Sequence, residues 1–266
     1  MTDYSIPQEW SAPDTMGGAW GGLNQASAGS RFEQTLPVGD KPFQVYSLGT
    51  PNGIKVAIML EELRQLGIKE ADYDLYRIDI SQGDQFGSDF VAINPNSKIP
   101  AMLDQSTDEP VRVFESANIL LYLAEKFEQF IPDNHKKRTE VLNWLFWQTG
   151  AAPLLGGGFG HFFHYAPTAI EYAIDRFAME AKRQLDLLDK ELATKAYIAG
   201  DDYTIADMAI WGWYGRLAQD KIWDKAGIFL DVKSYRHIQA WTEKIAERPA
   251  VKRALSVDYQ PITIKE

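Results

Sequence analysis

The chain has 266 residues, 45% of them hydrophobic and 24% charged, so it is long enough to bury a core in one or two domains. Because it contains no cysteine, it has no disulfide, no thiolate metal site and no cysteine nucleophile of its own. Its 37 acidic and 27 basic side chains give a net charge of −10, which argues against a nucleic-acid surface.

Residues 1–42 have an irregular, glycine-rich composition that cannot form a core by itself. The segment nevertheless contains three large aromatic side chains, Trp10, Trp20 and Phe32, which are costly to leave in water. We therefore predict an extended N-terminal arm that lies on the body of the protein or on a partner subunit.

Residues 43–128 have the pattern of a βαβ unit, an irregular segment and then a ββα unit. The first two strands, joined through an amphipathic helix that follows the turn at 49–53, should be parallel with a right-handed crossover. The last two should form an antiparallel hairpin, and a helix should begin at Glu115. The predicted strands are Phe43–Leu48, Tyr73–Ile78, the segment that begins at Pro100, and Val111–Phe114.

After a linker at 129–133, residues 134–255 have the periodicity of helices throughout, and residues 256–266 form a tail. Thr204–Asp207 is a capping box in front of an apolar helix, and we expect the aromatic cluster at 211–214 to belong to the bundle core. The glycines of 156–160 either let helices approach or shape a cleft. The last clear helix should end before Arg248-Pro249.

This order of elements resembles the glutathione transferase fold from about Phe43 to Leu255. It implies an α/β domain of thioredoxin-like fold followed by an all-helical C-terminal domain, assembled as a homodimer. The matching motifs are Glu115-Ser116 as the glutamyl-binding pair, Ile99-Pro100 as the cis-proline loop, and the capping box. Ser47–Gly53, Gly83–Phe86, Asn94–Pro100, the long arm and Gly156–His161 resemble the longer branch of the nu-class bacterial enzymes, which have disulfide-bond reductase activity.

The resemblance implies a glutathione-dependent thiol-transfer enzyme that binds two glutathiones, or glutathione disulfide, as cosubstrates rather than as a tightly held cofactor. Disulfide-bond reduction is the first expectation, and conjugation or peroxide reduction is the alternative within the class. Yeast nitrogen-regulator prion proteins share the Pro-Asn-Gly turn, so a glutathione-binding regulator or chaperone without turnover stays open. No apolar run approaches the roughly 20 residues of a membrane helix, and the N-terminus lacks a signal-peptide pattern, so we expect a cytoplasmic protein.

Thr50 and Asn52 are the predicted catalytic residues. They lie where the first helix should start, and the free N–H groups and positive dipole end of a helix favour an anion there. The Thr50 hydroxyl and the Asn52 amide can donate to a thiolate, and both residue types are also good helix caps, so we expect a double role. Tyr46 should be a core residue, and Ser47 stays open as a second donor.

Eight further residues are assigned to glutathione binding by the resemblance. Ile99 should pair through its backbone with the cysteinyl part, Glu115 and Ser116 should hold the γ-glutamyl group, and Lys98 could neutralise the glycine carboxylate. The remaining four are Gln85 near the second strand, and Asn24, Gln148 and Arg176 for the second glutathione.

Each of these residues also has an ordinary structural explanation. Gln85 could be an exposed loop residue, Lys98 a solvated lysine, and Glu115 with Ser116 a plain helix start. Gln148 could pack between helices, and Arg176 could be an exposed helix charge. We expect no metal site, since His161 and His164 have no acidic or cysteine partner nearby in the sequence.

Overall fold

The computed structural model of the chain describes residues 5–13, 18, 21, 23 and 25–262. These residues form a mixed five-stranded sheet with helices against it, followed by an all-helical part. Among the described residues no helix is long and apolar enough to cross a membrane.

The sheet has the strand order β4-β3-β1-β2-β5. As predicted, β1 and β2 are parallel, and β3 runs antiparallel to both β1 and β4. A fifth strand comes from the C-terminal tail and pairs in parallel with β2, so the tail covers that edge of the sheet. The strands are β1 Phe43–Ser47, β2 Tyr73–Arg77, β3 Ala101–Asp104, β4 Val111–Phe114 and β5 Gln260–Pro261.

Helix α1 (Gly53–Gln65) is buried over its first eleven residues, because the sheet side and the helical part cover it from both sides. Helix α3 (Ser116–Phe127) packs beside it. The segment predicted to be irregular contains a six-residue helix, α2 (Ser88–Ile93). Only Phe90 and Ile93 of α2 are buried, which is too few to show a helical period in the sequence.

The all-helical part confirms the predicted second half. It contains two π-helical stretches, Leu154–Tyr165 and Trp211–Gly215, which the sequence pattern did not predict. The α-helices are α4 His135–Pro153, α5 Glu171–Leu192, α6 Ile205–Ile210, α7 Arg216–Ala218, α8 Ala226–Phe229, α9 Arg236–Ala246 and α10 Pro249–Ala254.

Helix α9 ends at Ala246, before Arg248-Pro249 as expected, but it is followed by a further helix, α10, that the sequence analysis did not predict. Proline is well suited to the first position of a helix, and here Pro249 begins α10, which packs against α1. Arg248 and Arg253 pair with Glu62 and Glu61 of α1, with nitrogen–oxygen distances of 2.8 and 2.7 Å.

The capping box is confirmed. Asp207, fully buried in the third position of α6, accepts hydrogen bonds from the Thr204 backbone N–H and hydroxyl. It also accepts from the Ile198 N–H and the Trp241 indole, both at 2.9 Å. One carboxylate therefore joins three parts of the bundle.

The arm lies on the body in its described C-terminal portion. Phe32 forms a parallel bridge with Gly87, the Arg31 guanidinium stacks 3.4 Å above the Phe86 ring, and Leu36 is buried. The body does not cover Trp10, which is 59% exposed, or much of Phe32, which is 44% exposed, so for these two side chains a partner subunit stays the predicted covering surface. Trp20 lies outside the described residues.

Candidate active site

A cleft with two adjoining lobes lies between the sheet domain and the helical domain. The lobes have volumes of about 320 and 260 Å³, and both are bounded by Asn52 and Trp213. The first lobe is otherwise lined by Leu23, Thr50, Pro51, Ile80, Gln85, Phe86, Ser97, Lys98, Ile99 and Tyr165. The second is otherwise lined by Lys55, Glu115, Ser116, Ala117, Gln148, Thr149, Ala152, Pro153, Gly156 and Gly157.

Asn52 lies at the N-terminus of α1, but its side chain does not cap the helix, so that half of its expected double role is wrong. Its Oδ1 accepts hydrogen bonds from Lys55 Nζ and from Trp213 Nε1, both at 2.8 Å. The Trp213 indole and the Lys55 ammonium can donate but not accept, so the oxygen must face them. The amide N–H₂ group therefore points away from these two partners, and the residue borders both lobes.

Thr50 is the residue whose side chain caps α1. Its Oγ1 accepts from the Gly53 N–H at 3.2 Å, and its backbone oxygen accepts from the Ile54 N–H at 3.0 Å. Because a hydroxyl accepts and donates at once, the Thr50 hydrogen can still point into the first lobe. Ser47 is fully buried and is not among the described residues that line either lobe, and Tyr46 is a core residue as expected.

Lys55 is a site residue that the sequence analysis missed. It is fully buried, and its Nζ donates to Asn52 Oδ1 at 2.8 Å, Gln148 Oε1 at 3.0 Å and Ser116 Oγ at 3.4 Å. Burial lowers the pKa of the ammonium to about 7, against the opposing charge of Glu115. Three of the predicted residues are thus brought together by one buried cation.

Gln85, Lys98 and Ile99 line the first lobe, as the resemblance implied. Gln85 is buried, so its interpretation as an exposed loop residue is wrong. Its Nε2 donates to the Ile80 oxygen at 3.4 Å, while its Oε1 is buried and has no hydrogen-bond partner among the described residues. The Ile99-Pro100 bond is cis, as expected, and Lys98 lies exposed at the rim.

Glu115 and Ser116 line the second lobe at the start of α3. The Glu115 side chain is exposed and does not cap the helix, and its backbone has a φ of 69°, a conformation unfavourable for a residue with a side chain. Strained backbone of this kind is concentrated at functional sites. Helix capping by its side chain therefore does not explain Glu115, and its assignment to the γ-glutamyl group stays a prediction.

The three residues expected to bind a second glutathione have different outcomes. Gln148 is buried and bonded to Lys55 at the floor of the second lobe. Arg176 is on the exposed side of α5 and is not among the described residues that line the cleft. Asn24 lies outside the described residues, although its neighbour Leu23 lines the first lobe.

The aromatic cluster at 211–214 is only partly a core feature. Trp211 and Tyr214 are fully buried, but Trp213 faces both lobes of the cleft and donates to Asn52, so the expectation is wrong for Trp213. Gly156 makes room for its ring, since a Cβ at that position would lie 2.5 Å from Trp213 Cη2. The glycines of this stretch therefore serve both expected purposes, helix approach and cleft shape.

Comparison with known proteins gives the family. The model described as "Glutathione S-transferase, N-terminal domain" matches residues 51–126, and the corresponding C-terminal domain model matches residues 171–244. Disulfide-bond oxidoreductase YghU of Escherichia coli is 58% identical over 260 residues, which is 97% of this chain and 90% of that protein. The chain belongs to the glutathione transferase family.

Solved glutathione transferases agree with this assignment. Glutathione transferase YghU from Streptococcus pneumoniae, complexed with glutathione, is 65% identical and has a TM-score of 0.97, covering 98% of this chain and 100% of that one. A glutathione transferase from Burkholderia graminis, with two glutathione molecules bound per subunit, is 35% identical with a TM-score of 0.74, covering 81% and 88%. The family, its nu-class branch and the fold class predicted from the sequence are confirmed.

Proposed function

We propose that the protein is a glutathione-dependent disulfide-bond oxidoreductase that uses two bound glutathiones. The observation that carries this proposal is Asn52, which borders both lobes at a helix N-terminus and uses its Oδ1 for Lys55 and Trp213, so that its amide N–H₂ group is left for a ligand. The names of the similar proteins, one a disulfide-bond oxidoreductase and one with two bound glutathiones, support the same reading.

The site can activate a thiol without a proton-transfer base. A free thiol has a pKa of about 8.5, and each unit by which it falls needs about 1.36 kcal/mol of extra thiolate stabilisation. The Asn52 amide, the Thr50 hydroxyl and the positive end of α1 offer donors and a favourable potential for that thiolate. The protein has no cysteine, so the sulfur belongs to glutathione.

We assign glutathione binding to the residues that line the two lobes around Asn52. The first glutathione lies along the Ile99 backbone, with its γ-glutamyl group at Glu115 and Ser116 and its other end near Gln85 and Lys98. The buried Gln85 Oε1, which has no partner in the part of the chain that the structure describes, is an acceptor suited to a peptide N–H of the ligand. The second glutathione draws on Gln148 and on Asn24, whereas Arg176 lies on the exposed side of α5 and outside the lining of the cleft.

The reaction runs in two exchanges. The thiolate of one glutathione attacks a sulfur of the substrate disulfide, which forms a mixed disulfide and releases one substrate thiolate that takes a proton from solvent. The second glutathione then attacks the glutathione sulfur of the mixed disulfide, which gives glutathione disulfide and the other substrate thiolate. Because adjacent thiolates repel each other, the two thiols should ionise one at a time.

The decisive experiment is reduction of 2-hydroxyethyl disulfide by glutathione with purified protein. Asn52→Ala should lower kcat/KM by roughly one to three orders of magnitude, as when one donor to a developing anion is lost. Turnover by wild type that is unchanged in an Asn52→Ala, Thr50→Ala double variant contradicts the assignment of these donors. Glutathione binding with no turnover of disulfides, conjugation substrates or peroxides indicates the alternative, a glutathione-binding regulator or chaperone.

The assembly and location are part of the same proposal. We infer a homodimer in the cytoplasm, where glutathione is reduced and abundant enough to serve as a cosubstrate. Light scattering coupled to size-exclusion chromatography tests the dimer, and a monomer at micromolar concentration contradicts it.

A further inference from the structure

Lys55 is buried where several elements of the cleft meet. Its three ammonium hydrogens are used by acceptors from the start of α1, the start of α3 and the middle of α4: Asn52, Ser116 and Gln148. Its aliphatic stem lies against Gly212 in the second π-helical stretch, where a Cβ would come within 2.9 Å of Lys55 Cγ. The side chain therefore joins both domains beneath the cleft floor.

Burial of the Lys55 ammonium lowers the free energy of unfolding. An ammonium group taken out of water loses several kcal/mol of hydration, and here its hydrogen-bond partners are three neutral groups rather than a carboxylate. The charge that acts on it, that of Glu115, belongs to an exposed residue at the rim. A buried lysine with no acid paired to it in the described part of the chain points to a role other than holding the fold.

The geometry shows what that role is. Asn52 Oδ1 receives one bond from Lys55 and one from Trp213, so a flipped amide would set its N–H₂ group against two donors. The Lys55 charge also polarises the amide, and hydrogen bonds in such chains strengthen one another. Both effects act on the N–H₂ group that faces the cleft.

We propose that Lys55 is a positioning residue for the thiol chemistry: it fixes the Asn52 amide with its N–H₂ group toward the reacting sulfur and, through Ser116, links the thiol end of the site to the glutamyl end. The inference rests on the proposed function, because it requires a glutathione thiolate next to Asn52. Trp213 supplies the second donor to the same oxygen, and Gln148 completes the set of acceptors.

The test variant is Lys55→Met, which keeps the length of the side chain and removes its charge. We expect kcat/KM for glutathione-dependent disulfide reduction to fall roughly tenfold to a hundredfold, less than after loss of a direct donor. The thermal midpoint should stay the same or rise, since burial of the charge no longer has to be offset. Lys126→Met is the matched control: Lys126 pairs with the buried Asp104 at 2.7 Å away from the cleft, so its loss should lower the midpoint and leave kcat unchanged.

A double-variant cycle separates positioning from an independent contribution. If Lys55 acts through Asn52, then Lys55→Met should reduce kcat by less than about twofold in an Asn52→Ala background. If the kcat losses of Lys55→Met and Asn52→Ala multiply in the variant that carries both changes, the proposal is overturned. Wild-type kinetics in Lys55→Met alone overturn it as well.

A binding measurement keeps the inference separate from the proposed function. The ultraviolet absorbance of bound glutathione reports its thiolate fraction, even in a protein that turns nothing over. Lys55→Met should raise the pKa of the bound thiol by about one unit. At pH values well below that pKa, the thiolate fraction is then about tenfold smaller. If the protein turns nothing over but Lys55→Met raises the pKa of the bound thiol, only the enzymatic function is contradicted. If the pKa of the bound thiol in Lys55→Met equals that in wild type, the role of Lys55 is contradicted.

Discussion

Glu115 is an exposed carboxylate on a strained backbone, one residue before the buried Ser116. Its place at the rim suits the charged amine of the γ-glutamyl group, which takes no part in bond making. We predict that Glu115→Gln raises KM for glutathione more than it lowers kcat, because the lost interaction is equal in the ground state and the transition state. Steady-state kinetics measure the split.

Glu128→Gln is the control for this change. Glu128 is also exposed and also has a positive φ, 53°, but it lies at the other end of α3. Its variant should keep both constants, and a pure kcat loss in Glu115→Gln would instead make Glu115 a structural residue.

The charge of Lys55 makes ligand affinity depend on pH. Its pKa is about 7, Glu115 is the charged group that acts on it, and its hydrogen-bond partners Asn52, Ser116 and Gln148 are uncharged. Below pH 7 the ammonium is already protonated in the free protein. Above pH 7 the proton is lost, so binding a ligand carboxylate beside Ser116 must restore it.

We therefore predict that the Kd of S-methylglutathione, which has no thiol to titrate, rises by up to about tenfold per pH unit above pH 7. Calorimetry at several pH values measures Kd, and proton uptake follows from buffers of different ionisation enthalpy. In Lys55→Met the dependence between pH 7 and 9 should disappear; its persistence would assign it to another group. The same shift should make wild type more stable toward unfolding as pH rises from 7 toward 10.5, since only the unfolded chain then binds the proton.

The two π-helical stretches give the cleft its shape at the level of elements. The first brings Gly156 against the Trp213 ring, and the second turns Trp213 out of the bundle while Trp211 and Tyr214 stay in it. Such extra-residue turns often lie at functional sites because they change which side chains face a cavity. The contact between the two stretches thus fixes the position of the Trp213 indole, whose Nε1 lies 2.8 Å from Asn52 Oδ1.

We predict that Gly156→Ala displaces Trp213, since the new methyl carbon would lie 2.5 Å from the ring. Asn52 then loses one of its two fixed donors, and kcat should fall by about tenfold, a partial loss of amide orientation. Gly150→Ala is the control, because that helical glycine has no atom within 4 Å of a new Cβ. Tryptophan fluorescence should change for Gly156→Ala and not for Gly150→Ala, and equal kinetics in the two variants would contradict the role of the indole.

At the scale of the whole molecule, the arm divides into two portions with different roles. Residues from Arg31 to Pro42 belong to the body: Leu36 is buried, and Pro37 accepts the Tyr46 hydroxyl at 2.8 Å. Before them, the backbone oxygen of Leu23 accepts from the Arg31 guanidinium at 2.8 Å, which holds Leu23 at the first lobe. Deleting the whole arm would therefore disturb the core as well as the cleft.

A shorter deletion, of residues 1–28, isolates the contribution to the cleft. We predict that it weakens the second glutathione and slows disulfide reduction, with little change in thermal midpoint, because the docked portion remains. Deletion of 1–13, whose described residues are exposed, should behave as wild type. Calorimetric titration gives the stoichiometry; one glutathione per subunit in the full-length protein, or full activity after deletion of 1–28, would show that the arm only packs.

Most of the architecture was predictable because it follows from local periodicity. The strands and α1 alternate or repeat with the right period, and the motif order at Ile99-Pro100 and Glu115-Ser116 places the cleft. Helix α10 was missed because Pro249 can stop a helix or start one, and only its packing on α1 decides.

The positions of Lys55 and Trp213 in the site were less predictable, because they depend on which side chains the fold buries. A lysine is normally solvated, so nothing in its type marks Lys55 as buried. The signal that could have found it is the helix around it: Ile54 and 56–60 are apolar on all sides of α1, which is typical of a helix enclosed by the fold. Trp213 was assigned to the core because α-helical periodicity does not predict a π-helical turn.

The ion pairs from Glu61 and Glu62 to Arg253 and Arg248 have a consequence for access to the cleft. They link α10 of the helical domain to α1 of the sheet domain, so they oppose a hinge motion between the two domains. We therefore expect the cleft between the two domains to change little in width when ligands bind. A cleft of fixed width would favour small disulfides over disulfides held in a folded protein, and turnover of the two kinds of substrate compares them.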